Sequence, residues 1–208
     1  MKILSTLKSL IRFEIVLKLA VVAIFSVNST FAADSASSIQ VKNFEAPGNL
    51  VSKNELGCIE SNRFSNKFTP ADLYKAVAVC AKQNKNKDAA ILFALAGVYG
   101  RFDTLRVSDK SAHQAVTVLK MQMFSSLTPD QQSAFREVAT KTLSNPDEIV
   151  SKCKIIKHLG PPNYHPSYMI QHGMGAFSES NSGNGLVKEF DSKAAWQQSL
   201  DGYLHCPI

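Results

Sequence analysis

No part of this chain alternates apolar and polar residues in the way a half-buried strand requires, so a sheet-built fold is excluded. GxSxG, HExxH and a glycine-rich phosphate loop are all missing, and with them the common signatures of acyl transfer, zinc proteolysis and nucleotide binding. There is no CxxC pair, the usual frame for a thiolate-held zinc. The apolar run near the N-terminus, Leu19 to Val27, has nine residues and is preceded by Glu14 and Lys18. That is too short to span a bilayer, which takes about 20 apolar residues in a helix.

What stands in this N-terminal region has a different meaning. Lys2, Lys8, Arg12 and Lys18 precede the apolar run, and Thr30-Phe31-Ala32 closes it with a small residue. The pattern predicts a Sec-type signal peptide over residues 1–32, cleaved after Ala32, and hence a periplasmic or secreted protein with no stable membrane insertion. Removing it alters the charge balance. The full chain carries +6, but residues 1–32 hold four basic residues and one acidic residue, leaving 19 against 16, or +3. Much of the basicity belongs to the export signal, so nucleic acid is not an expected partner.

All four cysteines, Cys58, Cys80, Cys153 and Cys206, lie beyond the signal. An even number in an exported chain predicts two disulfides formed in an oxidising compartment. Of the three possible pairings, Cys58–Cys80 with Cys153–Cys206 joins segments that the helical pattern makes neighbours.

Residues 33–57 are rich in serine and asparagine with a Pro-Gly break at 47–48, and read as a flexible leader with a short extended piece at Ile39–Val41. Helix signals then follow one another. Thr69-Pro70 with Asp72 starts a helix that turns Leu73, Ala76, Val77, Cys80 and Ala81 inward. After a polar turn at 84–87, the run from Ala89 to Tyr99 contains no charged or amide side chain. A helix apolar on every side belongs at the centre of a domain. Gly97 and Gly100 within it allow close approach of a neighbouring element. Ser108 and Asp109 cap a third helix, Thr128-Pro129-Asp130-Gln131 a fourth, and Asn145-Pro146 a fifth that ends at Gly160. From Pro161 the rhythm fails. PPNYHPSYMIQHGMGAF holds one short helix from Pro166 to His172, SESNSGNG reads as a mobile loop, and Asp191 caps a last helix that returns Cys206 to Cys153.

Leu73, Tyr74 and Ala76, followed by Ala90, Phe93, Ala94, Ala96 and Gly97, make the helix–turn–helix of residues 71–107 resemble tetratricopeptide or Sel1-type repeats. The resemblance covers under a fifth of the chain. It implies helix pairs stacked into a scaffold that binds partner proteins. The expected fold is therefore all-α: a single helical bundle or tetratricopeptide-like hairpin array of five to six helices, stapled by two disulfides. It occupies residues 58–208, with a loop-rich segment at 160–190.

Chemistry-bearing residues are few. His158, His165 and His172 recur every seven residues, but the spacing crosses Gly160-Pro161-Pro162 and does not align them on one helix face, so neither metal nor cofactor is expected. Glu55, Glu60 and Asp103 are the candidate acids for a cell-wall hydrolase, and no pattern pairs them. Around Arg101, Asp103 and Arg106, local pairing of Asp103 with Arg106 competes with an interface hot spot beside Tyr99 and Phe102. The expected binding residues are Tyr164, His165, Tyr168 and His172 on the anchored C-terminal segment, joined by Arg101 and Arg106. The expected function is non-catalytic binding of another envelope or secreted protein, as an inhibitor or immunity-type protein. An envelope scaffold or assembly factor comes second. A secreted hydrolase with its site near Tyr164–His172 is the opposing class.

Overall fold

In the computed structural model of the protein, residues 45–178 and 183–206 are described, and they form an all-helical bundle. The expected signal peptide and the leader as far as residue 44 lie outside the described residues, as does the middle of the serine-rich loop. Seven α-helical segments are present among the described residues: α1 (Pro70–Lys82), α2 (Asn86–Arg106), α3 (Ala115–Ser125), α4 (Pro129–Ser144), α5 (Pro146–Leu159), α6 (Ser167–Ile170) and α7 (Ser192–Ser199). The count exceeds five to six because α6 is a single turn between two irregular stretches. Short 3-10 turns at Ser61–Arg63, Lys110–Gln114 and Met174–Phe177 join them, and α7 runs on into a π-helical turn at Leu200–Leu204.

The helix starts follow the local chemistry of the sequence. Thr69 and Asp72 form a reciprocal capping box, as do Thr128 and Gln131, while the Asn145 and Asp191 side chains accept from the first-turn amides of α5 and α7. Each such cap contributes roughly 1 kcal/mol by satisfying amides that have no partner within the helix. Gly160 ends α5 at φ +76°, a conformation that costs glycine little.

α2 is the centre. Ala89, Leu92, Ala94, Leu95, Val98 and Tyr99 are fully buried, and each large aliphatic side chain contributes about 1.5–3 kcal/mol by leaving water. The helix is longer than its uncharged run, continuing through Gly100 to Arg106. α1 packs along α2 and is joined to residue 58 by the Cys58–Cys80 disulfide; Cys153–Cys206 ties α5 to the C-terminal turn. The two glycines admit side chains rather than a neighbouring backbone. At Gly97 an added Cβ would lie 1.9 Å from the Tyr203 ring, and at Gly100 it would lie 2.8 Å from Val116. Among the described residues no helix is long and apolar enough to cross a membrane.

The segment read as a flexible leader up to residue 57 is, in its last part, hydrogen-bonded onto the bundle. The Leu50 amide donates to the Tyr168 carbonyl. Asp72, fully buried at the start of α1, accepts from the amides of Lys53 and Asn54, from the Ser52 hydroxyl and from the Asn54 side chain at 2.7–3.0 Å. Its second oxygen also takes the Thr69 amide. Burial pushes this carboxyl up, but the bonds from Asn54, Thr69 and Ser52 outweigh it and hold it below its ordinary value. One capping residue thus anchors both the helix and the incoming chain.

Candidate functional site

The residues expected to bind a partner divide into two groups. Asp103, three residues before Arg106 on α2, is fully buried. Arg106 donates from Nε to Asp103 Oδ1 at 2.8 Å, and its Nη2 lies 2.7 Å from the same oxygen without proper hydrogen-bond geometry. The hydroxyls of Tyr164 and Tyr168 both donate to Oδ2, at 2.9 and 2.8 Å. The guanidinium sits between the rings of Phe102 and Tyr164, 5.2 and 5.0 Å from their centroids. Burial pushes the Asp103 carboxyl above its ordinary value, while Arg106 and the two phenols pull it down. The Arg106 Nε and the two phenol hydroxyls all donate to it, and they oppose the upward push of burial without cancelling it.

This arrangement assigns Tyr164, Tyr168 and Arg106 to one internal cluster that clamps the Pro161–Phe177 segment to α2. Tyr168 and Arg106 are buried and Tyr164 is half-buried, so the cluster offers a partner little surface. The pairing of Asp103 with Arg106 is local, as its spacing suggests, but it lies in the core and not at an exposed helix end. The other three residues do not join it. His165 is exposed, with Nε2 3.0 Å from the Asn184 carbonyl oxygen; His172 Nδ1 is 2.9 Å from Asn49 Oδ1; Arg101 is exposed. Glu55 pairs with Lys75. Among the described residues, no group of three His, Cys, Asp or Glu side chains is gathered as a metal would require.

A different surface, between α3 and α4, is concave and partly apolar. α3 lies along α1 and α4 along α2, and beyond their connecting turn α3 and α4 meet through side chains, the Phe124 ring lying 5.8 Å from that of Phe135 and against the Arg136 guanidinium. The opening between them has Phe93 of α2 as its floor, with Phe124 and Phe135 edge-on to it at 6.3 and 5.6 Å between centroids. Two adjoining concavities of about 510 and 270 Å³ share Phe93, Phe124 and Arg136. Lys120 and Met121 form the α3 wall; Arg136 and Leu143 form the α4 wall. Met121 is 62% exposed, on the side of α3 away from its buried Ala115, Leu119 and Met123. The Arg136 guanidinium lies 4.7 Å from the Phe124 centroid. Neither concavity is lined by a carboxylate, and among the described residues neither Lys120 nor Arg136 is in an ion pair.

The slot is fixed from below. Gln132 Nε2 donates to the carbonyls of Phe124 and Leu127 at 3.0 and 3.2 Å, which sets the angle of the α3–α4 turn. Apolar floor, rigid walls and a few polar groups at the rim are the usual composition of a binding site. The arrangement offers apolar area to bury and two cations to neutralise. The sequence reading did not single out Lys120, Met121 or Arg136. The available signal was that α3 has apolar residues beyond its buried stripe, with Met121 and Phe124 turned away from the Ala115–Leu119 face.

Comparison of the chain with protein-family models, with curated proteins and with solved structures finds no match.

Proposed function

We propose that the protein is an exported helical module that acts by binding another envelope or secreted protein, in the manner of an inhibitor or immunity-type protein, through the slot between α3 and α4. The observation that carries this reading is the aromatic floor flanked by Lys120 and Arg136, which make no ion pair among the described residues, and by exposed Met121. Export rests on the signal-like residues 1–32, and two disulfides suit an oxidising compartment. The likeness of residues 71–107 to tetratricopeptide and Sel1-type pairs supports a partner-binding scaffold. Stapling adds to it, since a rigid surface loses less entropy when a partner docks.

Photo-crosslinking tests the reading. A photoreactive amino acid placed at Met121 should capture one defined partner from the cell envelope, and the same group at Val150 on α5 should not. Adducts of equal yield from both positions, or none from Met121, would overturn it. A scaffold role shares the binding chemistry and is separated by the partner's activity, which an inhibitor lowers and a scaffold leaves alone. Cell-wall cleavage by the purified protein, abolished in His172→Ala, would replace this reading with the hydrolase.

A further inference from the structure

The slot also specifies the chemistry of what fills it, and this inference rests on the binding reading above. We propose that the occupant is an amphipathic α-helix of the partner with an apolar stripe and acidic residues on both shoulders.

The argument starts from shape. The α4 wall runs from Gln132 to Ser144, about 18 Å at 1.5 Å per residue, the length of just over three helical turns. The α3 and α4 walls flank the aromatic floor, and a third helix laid along it packs its ridge onto Phe93 and Phe124. An extended strand gains nothing comparable, because both walls are helices whose backbone amides and carbonyls are already paired and offer no edge to extend.

Charge then selects among helices. Lys120 stands on one wall and Arg136 on the other, and no acid lines the trough between them. A helix lying along the floor presents its two shoulders to the two walls. Glutamates on both shoulders meet one cation each, whereas lysines there meet like charge on both sides, which is penalised as the rim loses water. Arg136 is preorganised for this contact, since its guanidinium already rests on the Phe124 ring. Met121 adds an adaptable apolar contact at the rim.

The test uses the protein freed of its export signal, isotopically labelled for amide NMR, and three synthetic 15-residue peptides. One carries leucines at i, i+3, i+4 and i+7 with glutamates on both shoulders. The second replaces the glutamates with lysines, and the third has the composition of the first with two central prolines that prevent a helix. The acidic helix should shift amides of residues 117–144 and bind at least tenfold more tightly than either control. Lys120→Glu/Arg136→Glu should reverse the preference between the acidic and basic peptides without lowering the melting temperature by more than a few degrees. Equal affinity for the acidic and basic peptides, equal affinity for the proline peptide, or shifts confined to other helices would overturn the inference. So would phosphatidylglycerol vesicles that shift the same amides and are not displaced by the acidic peptide, an outcome that assigns the slot to a membrane surface. A partner whose cross-linking at Met121 is not suppressed by prior addition of the acidic peptide removes this inference and leaves the binding reading standing. Absence of any cross-link from the slot removes the reading itself.

Discussion

Replacing Asp103 by asparagine keeps the volume of the side chain and removes its charge. Arg106 is then a buried cation, 8% exposed, without a counter-ion, and one carboxylate that served three donors, one nitrogen and two hydroxyls, becomes an amide. Breaking a buried pair from one side typically costs about 3–5 kcal/mol, a large part of the roughly 5–15 kcal/mol that holds a domain together. For a domain of this size each kcal/mol corresponds to roughly 2–4 °C, so the melting temperature should fall by about 6–20 °C. Trp196, the single tryptophan, lies 6.2 Å from Phe102 and 6.0 Å from Tyr99, which makes its fluorescence a local reporter during urea unfolding. The paired variant Asp103→Leu/Arg106→Met should cost less than Asp103→Asn, because no buried charge is left alone. A cost below about 1 kcal/mol for Asp103→Asn would mean that the pair is solvated like an ordinary surface ion pair, and the account of the clamp would be wrong.

Three further outcomes follow from the packing. Asp72 is ordinarily protonated around pH 3.8 and is held lower in the folded protein, so it stabilises the fold above that pH and the stabilisation is lost as pH falls through its folded value; acid titration of the melting temperature should show that loss in the wild type and not in Asp72→Asn, whose amides at 53 and 54 should also exchange faster. Gly97→Ala should destabilise by about 1–3 kcal/mol through collision with Tyr203, and should become mildly stabilising in a Tyr203→Ala background, where only the helix-propensity gain remains. In urea unfolding, Cys153→Ser/Cys206→Ser should cost about 4 kcal/mol and Cys58→Ser/Cys80→Ser about 3, the order set by separations of 53 and 22 residues; the reverse order would show that native contacts, not chain entropy, dominate.

The helices were legible because their signals are local. Thr69 with Asp72, Thr128 with Gln131, and Asn145 announce their helix starts within three or four residues, and the uncharged run from Ala89 marks the centre. The disulfide pairing followed from the same helix order. The clamp was not legible, because an Asp-x-x-Arg pair looks the same on a surface as in a core. What buries Asp103 are phenols 61 and 65 residues away, brought back by a segment that has no helical rhythm of its own. The aromatic and histidine content of that segment suggested an interface, yet two of its tyrosines face inward. Asp72 posed a related difficulty: its capping role is local, but the amides of Lys53 and Asn54 that complete its shell belong to a stretch that composition marks as loose. The slot was hidden for another reason. It exists because α3 and α4 pack on different partners, and no residue-level pattern records the gap between two helices.

The most direct test of the central claim is the dissociation constant of the partner captured at Met121, measured with wild type and with Lys120→Glu/Met121→Glu/Arg136→Glu. The account predicts affinity at least tenfold weaker for the triple variant at a nearly unchanged melting temperature, and wild-type affinity for an Arg101→Ala/His165→Ala/His172→Ala control. Unchanged binding by the slot variant, with binding lost in the control, would contradict it and move the working surface back to the C-terminal segment.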